Sequence, residues 1–131
     1  MEKNLVITSE ISNLHKVENL IDEISLELTL NQEIYGNILL CTIEGANNAI
    51  THGNKLIKEK LVTINLRKLD KKMILKISDQ GTGFNYNSIP DPTSPENLEK
   101  VNGRGIFIMK QLSDEINFID EGRTVELTFN L

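Results

Sequence analysis

The chain has 131 residues, with 14 basic and 19 acidic side chains and a formal net charge of −5. That length suits one domain around one core, and the composition is that of an ordinary soluble globular protein. The acidic balance argues against non-specific nucleic-acid binding, which rests on Lys and Arg neutralising phosphates, so no direct nucleic-acid partner is expected. A single cysteine, Cys41, leaves no intrachain disulfide and no cysteine-based zinc cluster. It sits in the apolar run Ile38-Leu39-Leu40-Cys41 and reads as a small buried hydrophobe. The N-terminus MEKNLVITSE is too polar for a secretory signal, and no apolar run approaches the ~20 residues of a membrane span. A cytoplasmic protein with no membrane partner is expected.

Leu5-Val6-Ile7 reads as a short first strand, and Ser9 is a candidate helix N-cap. From Ile11 to about Leu28, the residues Leu14, Val17, Leu20, Ile21, Ile24 and Leu28 recur at helical spacing. Asn31 is a second N-cap candidate, with Glu33 in the first turn favoured by the helix dipole. That helix should run from Gln32 to about His52 and stop at Gly53. Val62, Ile64 and Leu66 then alternate with polar residues. The pattern resumes over residues 73–77 after a turn-like link, which predicts a hairpin. All three prolines fall within residues 84–102, a long loop of the kind that is usually functional or disordered. Helical spacing returns over residues 105–112. Residues 117–119 and 124–131 form a closing hairpin around Asp120-Glu121-Gly122-Arg123. Paired strands and grouped helices predict an α+β fold of one domain over residues 1–131. It should have two layers, with helices on one face of a mainly antiparallel mixed sheet.

Three segments have the residue types of a chemical site. In EGANNAITHGN, each helical residue turns about 100°, so Glu44, Asn47, Asn48 and Thr51 form one stripe. Asn is a mediocre helix former, so two in succession sacrifice some stability. An Asn carbonyl oxygen is a neutral hard ligand suited to Mg²⁺, and a carboxylate one turn away can accept a proton from water or a hydroxyl. The same stripe also suits a solvated polar face closed by a His-Gly cap. In SDQGTGFN, Asp79 closes a strand, and Gly81 and Gly83 permit tight turning and close backbone approach. A carboxylate held there can accept a hydrogen bond from an exocyclic amine such as adenine's, although Asp-x-Gly turns are also common as plain turns. In NGRGIFIMKQL, Gly103 and Gly105 flank Arg104 just before an apolar helix, which suits a phosphate or simply a glycine-rich entry to a helix. No Gly-Lys-Ser/Thr follows, so this is not a Walker A loop.

Taken in order, with a hairpin between the first two segments and a loop between the last two, the motifs resemble the Bergerat ATP-binding fold. That fold is shared by gyrase-type topoisomerases, histidine kinases and certain chaperones. The resemblance covers residues 35–131, and the Glu-x-x-Asn-Asn-Ala-x-x-His-Gly run is most similar to the anti-sigma factor serine kinases of bacterial partner-switching systems. It implies ATP and Mg²⁺ as cofactors, with Glu44 as the catalytic carboxylate and Asn48 as the metal ligand. Asn47 would lie near phosphate or water, and Asp79 would bind the adenine amine. Gly81 and Gly83 would pack close to base and ribose, residues 84–102 would be the ATP lid, and Gly103, Arg104 and Gly105 would line the phosphates. His52 belongs to the family motif in either a packing or a catalytic role. Some members carry an arginine just before the glycine motif. Val101 and Asn102 stand there instead, so Arg104 is preferred over Lys100 as the cation facing the terminal phosphate.

The implied activity is transfer of the γ-phosphoryl group to a serine or threonine of an anti-sigma factor antagonist protein, with a sigma factor or other regulator as second partner. A homodimer is also expected. The alternative is a non-catalytic, ATP-gated protein-binding module. A histidine-kinase fragment fits less well, because His15 lacks the expected acidic neighbour and a dimerising second helix.

Overall fold

The computed structural model describes residues 1–83 and 101–131. Its elements are β1 (Glu2–Thr8), a 3₁₀ turn (Ile11–Asn13), α1 (Leu14–Leu28), α2 (Gln32–Asn48) and a π-helical turn (Ala49–Gly53). These are followed by β2 (Leu61–Leu69), β3 (Lys72–Ser78), α3 (Val101–Leu112), β4 (Glu115–Ile119), a second 3₁₀ turn (Asp120–Gly122) and β5 (Thr124–Asn130). The sheet order is β1-β2-β3-β5-β4. All four neighbouring pairs among the described residues are antiparallel. The expected mixed character of the sheet therefore does not reach its hydrogen bonding. The crossover through α3 leaves β4 parallel to β3, but β5 inserts between them and pairs antiparallel with both.

Period-two alternation gives the sheet one dry and one wet face. Val62, Ile64 and Leu66 of β2, Met73, Leu75 and Ile77 of β3, and Leu127 and Phe129 of β5 are buried. They form one cluster with Val17, Ile21 and Ile24 of α1, Ile38, Cys41 and Ala46 of α2, and Ile106 and Met109 of α3. On the other face Asn4, Asn65, Lys76 and Glu126 stand in one row. There Asn65 donates to Asn4 at 2.7 Å and Lys76 pairs with Glu126 at 3.5 Å. Leu66 is 0% exposed and pairs with Leu75 in the middle of the dry face. Leu66→Ala should cost about 2–5 kcal/mol in chemical denaturation. A loss well under ~1 kcal/mol would mean that the helices do not pack on this face as described.

The helix ends show where local signals held. Asn31 caps α2, its side-chain oxygen accepting the Ile34 N–H at 2.8 Å. Ser9 caps nothing. Its hydroxyl donates to the Lys60 carbonyl at 2.7 Å and accepts from the Asn54 amide at 2.8 Å. A fully buried amide must find partners, whereas the first N–H groups of a surface helix can turn to water. The second helix keeps α geometry only to Asn48 and then widens into the π turn, where the Asn54 N–H reaches the Ala49 carbonyl at 2.8 Å. The third helix starts at Val101, before the expected Gly105, and takes in Gly103 and Arg104. Burial of Ile106 and Met109 against the core outweighs the poor helix propensity of glycine. Cys41 is buried as expected, and burial, with Glu44 adding to it, pushes its thiol up to about 12. No helix among the described residues is long and apolar enough to cross a membrane.

Candidate functional site

An open cleft lies between α2 with its π turn, α3 and the end of the sheet. Its floor is apolar: Ile77, Ile106, Met109, Phe118 and Val125. Asn48, His52, Asp79 and Arg123 supply polar groups around it. A flat ligand with a few polar edges suits such a lining. The α2 backbone comes close to β3 at Gly45, where a Cβ would run into the Ile77 side chain.

One end of the cleft is built on Asp79. A Cβ on Gly53 would strike the Asp79 carboxylate, and one on Gly81 would strike the Gly53 carbonyl, so the strand-end turn lies directly on the π turn. The Asp79 N–H donates to the Arg123 carbonyl at 2.9 Å, and the Gly81 N–H donates back to Asp79 Oδ1 at 2.7 Å. Arg123 Nε donates to the Gly81 carbonyl at 2.8 Å, and Ser78 and Thr124 share a hydroxyl hydrogen bond at 2.8 Å. Burial pushes the Asp79 carboxyl above the usual carboxylate range. The Gly81 N–H and the Arg123 guanidinium oppose that shift in part, and Asp120 adds to it. Gly83 has φ +82°, and a Cβ there would meet the Glu121 carbonyl, so the chain leaves this end along the β4–β5 turn.

The other end is built on Asn48. A Cβ on Gly105 would stand 2.7 Å from Asn48 Nδ2, 3.3 Å from Asn48 Oδ1 and 3.2 Å from Glu44 Oε2. The glycine lets α3 approach the polar stripe of α2, so that stripe faces a neighbouring helix rather than water alone. Asn48 Oδ1 is buried with no hydrogen-bond partner among the described residues. His52 Nε2 is in the same condition, and burial lowers the His52 pKa.

A folded pKa below the unfolded one means that His52 contributes stability above the ordinary histidine range. That contribution is lost as pH falls through ~6.5 towards the folded value. His52→Gln should therefore lose less Tm than the parent chain between pH ~7 and ~5.5. Parallel Tm curves for the two proteins would show that His52 is not held neutral.

The fold thus brings all three sequence segments to one cleft. Asn48, Asp79 and Gly83 line it. Glu44 and Gly105 do not line it, but both stand beside Asn48, which does. Asn47 stands beside Thr51, whose hydroxyl donates to it at 3.4 Å, and does not line the cleft. Gly81 supports Asp79 from behind. Arg104 is exposed on α3, and Gly103 lies in the first turn of the same helix. The expected lid lies outside the described residues up to residue 100, as does Lys100. Sequence reasoning missed Arg123, the Ser78–Thr124 pair and the apolar floor. The Gly122-Arg123-Thr124 run was visible only as a hairpin turn, and nothing local says that Thr124 pairs with Ser78 next to Asp79.

Residues 7–129 match the family described as the histidine kinase-like ATPase domain. The chain belongs to that family. Similar proteins include "Serine-protein kinase RsbW" of Listeria innocua, 24% identical over 103 residues that cover 73% of this chain and 66% of that protein. The protein of the same name from Bacillus licheniformis is 27% identical over 99 residues, covering 70% and 62%. That from Staphylococcus aureus strain MRSA252 is 30% identical over 96 residues, covering 65% and 58%. The matches span just under two thirds of these curated relatives. Among solved structures, the histidine kinase domain of the Erythrobacter litoralis EL346 blue-light activated histidine kinase aligns with a TM-score of 0.59 at 17% identity. That alignment covers 95% of this chain and 62% of the other, and the likeness is one of fold.

An ATPase domain implies ATP, and the residues present fit it. The apolar floor has the character that suits a flat base, and the Asp79 carboxylate is an acceptor of the kind an exocyclic amine would need. Asn48 Oδ1, buried and without a hydrogen-bond partner among the described residues, is a hard oxygen donor of the kind Mg²⁺ takes. The described residues hold no group of three or more His, Cys, Asp or Glu that could bind a metal unaided. A cation on Asn48 of this ATPase domain would complete its shell with phosphate and water oxygens.

Proposed function

We propose that the chain is an ATP-dependent serine/threonine-protein kinase. It acts as an anti-sigma factor in a cytoplasmic partner-switching module and phosphorylates a small anti-sigma antagonist protein. The observation that carries this reading is the meeting of Glu44 Oε2 and the Asn48 amide at Gly105, with Asn48 lining the same cleft as Asp79. A cleft that only holds a nucleotide needs the Asp79 and Asn48 ends. A carboxylate beside the metal ligand adds a group able to handle a proton. The likeness to proteins named serine-protein kinase agrees with that chemistry.

When bound, ATP with Mg²⁺ supplies a transferable γ-phosphoryl group and neutralises its charge. The chain's own residues do the rest. Asp79 accepts the adenine amine and sets the register of the nucleotide along the cleft. Asn48 Oδ1 holds the cation. Glu44 Oε2 orients the incoming serine or threonine hydroxyl and takes its proton. Arg104, exposed on the first turns of α3, supplies positive charge towards the phosphates.

The test is incubation with γ-labelled ATP, Mg²⁺ and a candidate antagonist-domain protein, followed by phosphoamino-acid analysis. Acid-stable label on serine or threonine is the expected result. Intact ATP binding with no such label across the antagonist proteins of the host would reject the kinase reading.

A further inference from the structure

Asn54 is 0% exposed and hydrogen-bonds to three separate parts of the chain. Its Nδ2 donates to Ser9 Oγ at 2.8 Å and to the Leu61 carbonyl at 3.0 Å, and its Oδ1 accepts the Gln80 N–H at 2.7 Å. Ser9 Oγ in turn donates to the Lys60 carbonyl at 2.7 Å, and Gln80 Oε1 accepts the Leu61 N–H at 2.7 Å. The last of these bonds makes the contact between the start of β2 and the turn after β3 reciprocal.

We infer that Asn54 is a positioning residue: through the Gln80 N–H it fixes the turn that carries Asp79, and so sets how strongly the cleft selects a base with an exocyclic amine. The inference rests on the reading of Asp79 as the base acceptor.

Three observations point the same way. The Asp79 carboxylate lies against Gly53, next in the chain to Asn54, with no room for a Cβ between them. The turn is gripped on its other side by Arg123, through the Asp79 N–H and the Gly81 carbonyl. Asn54 supplies the opposing grip, at the residue between those two. The π turn brings it there, since its backbone N–H closes the i→i+5 bond to Ala49. A π turn inside or at the end of an α-helix is frequently found at a functional site. A half-buried acceptor in a largely apolar cleft works well only while its direction is fixed, because a misdirected carboxylate loses the ligand's hydrogen bond.

A role confined to stability would lower Tm but leave the ranking of ligands unchanged. The experiment compares ATP with purine riboside triphosphate, which lacks the 6-amino group, by calorimetric titration of the full chain with Mg²⁺. Circular dichroism first establishes that each protein is folded. Wild type should prefer ATP, and Asn54→Ser should lose roughly tenfold of that preference, the equivalent of one well-made hydrogen bond to a charged group. Ser9→Ala leaves Asn54 in place but removes the hydroxyl that orients its amide. It should lose a smaller share of the preference, and it carries the test if Asn54→Ser does not fold. A wild-type chain with no preference for ATP overturns the reading of Asp79 itself. A wild-type preference that survives intact in the folded variants overturns the role of Asn54 alone.

Discussion

Glu44→Gln should reduce phosphoryl transfer to the antagonist protein by roughly 10²–10⁴-fold while leaving ATP affinity little changed. The substitution keeps the shape that packs beside Gly105 and Asn48 and removes only the ability to take a proton. Single-turnover labelling gives the rate, and titration with a non-hydrolysable ATP analogue gives the affinity. The same variant separates the kinase from an ATP-gated binding module. A gated module would hold and release its partner as before, since nothing in gating requires a base. A kinase variant would bind its partners and fail to switch them. Loss of both binding and transfer would mean that Glu44 serves mainly to hold α3 against α2.

Asp79→Ala should weaken ATP binding by roughly 10- to 100-fold, the range for losing a hydrogen bond to a charged acceptor in an apolar cleft. Its pH behaviour is the more distinctive part. Burial raises the folded-state pKa of Asp79, so in the free protein its ionised form opposes folding. Stability from this group is fully present below the ordinary carboxylate range and is lost as pH rises through the raised value. Asp79→Ala lacks that component, so its stability relative to wild type should improve as pH rises through this range, even as its affinity fails. Wild-type affinity for ATP should in turn weaken on acidification, as the acceptor becomes protonated. Pairing a thermal-melt series with a titration series over pH ~4–7 checks both. Equal pH dependence of stability in the two proteins would show that Asp79 is not held in the buried state described.

Much of this arrangement was legible in the chain because its signals are local. The Asn31 cap, the helical stripe of Val17, Ile21 and Ile24, and the alternation through Val62, Ile64 and Leu66 each depend on neighbours within a turn or a strand. The three glycine- and amide-rich segments were also visible, and the fold gathers them at one cleft. What was not legible depends on distant partners. Ser9 has a cap's chemistry but is claimed by Asn54, 45 positions away. Arg123 looks like any hairpin residue until the pairing of Ser78 with Thr124 places it beside Asp79. The π turn has no periodicity of its own, since one widened turn shifts the stripe by a residue without erasing it. The α3 start was misjudged because glycine's poor helix propensity is outweighed by core contacts that only the folded chain possesses.

The sheet order also bears on how the protein is made. β5 follows the other four described strands in the chain, yet it lies inside the sheet, between β3 and β4. While the ribosome still holds β5, the earlier hairpin has an open edge at β3 and β4 has no partner at all. The same strand and the turn before it supply Arg123 and Val125 to the cleft, so a chain without β5 has helices and a hairpin but an incomplete cleft. Nucleotide can thus stabilise the finished domain but has little to grip during its synthesis.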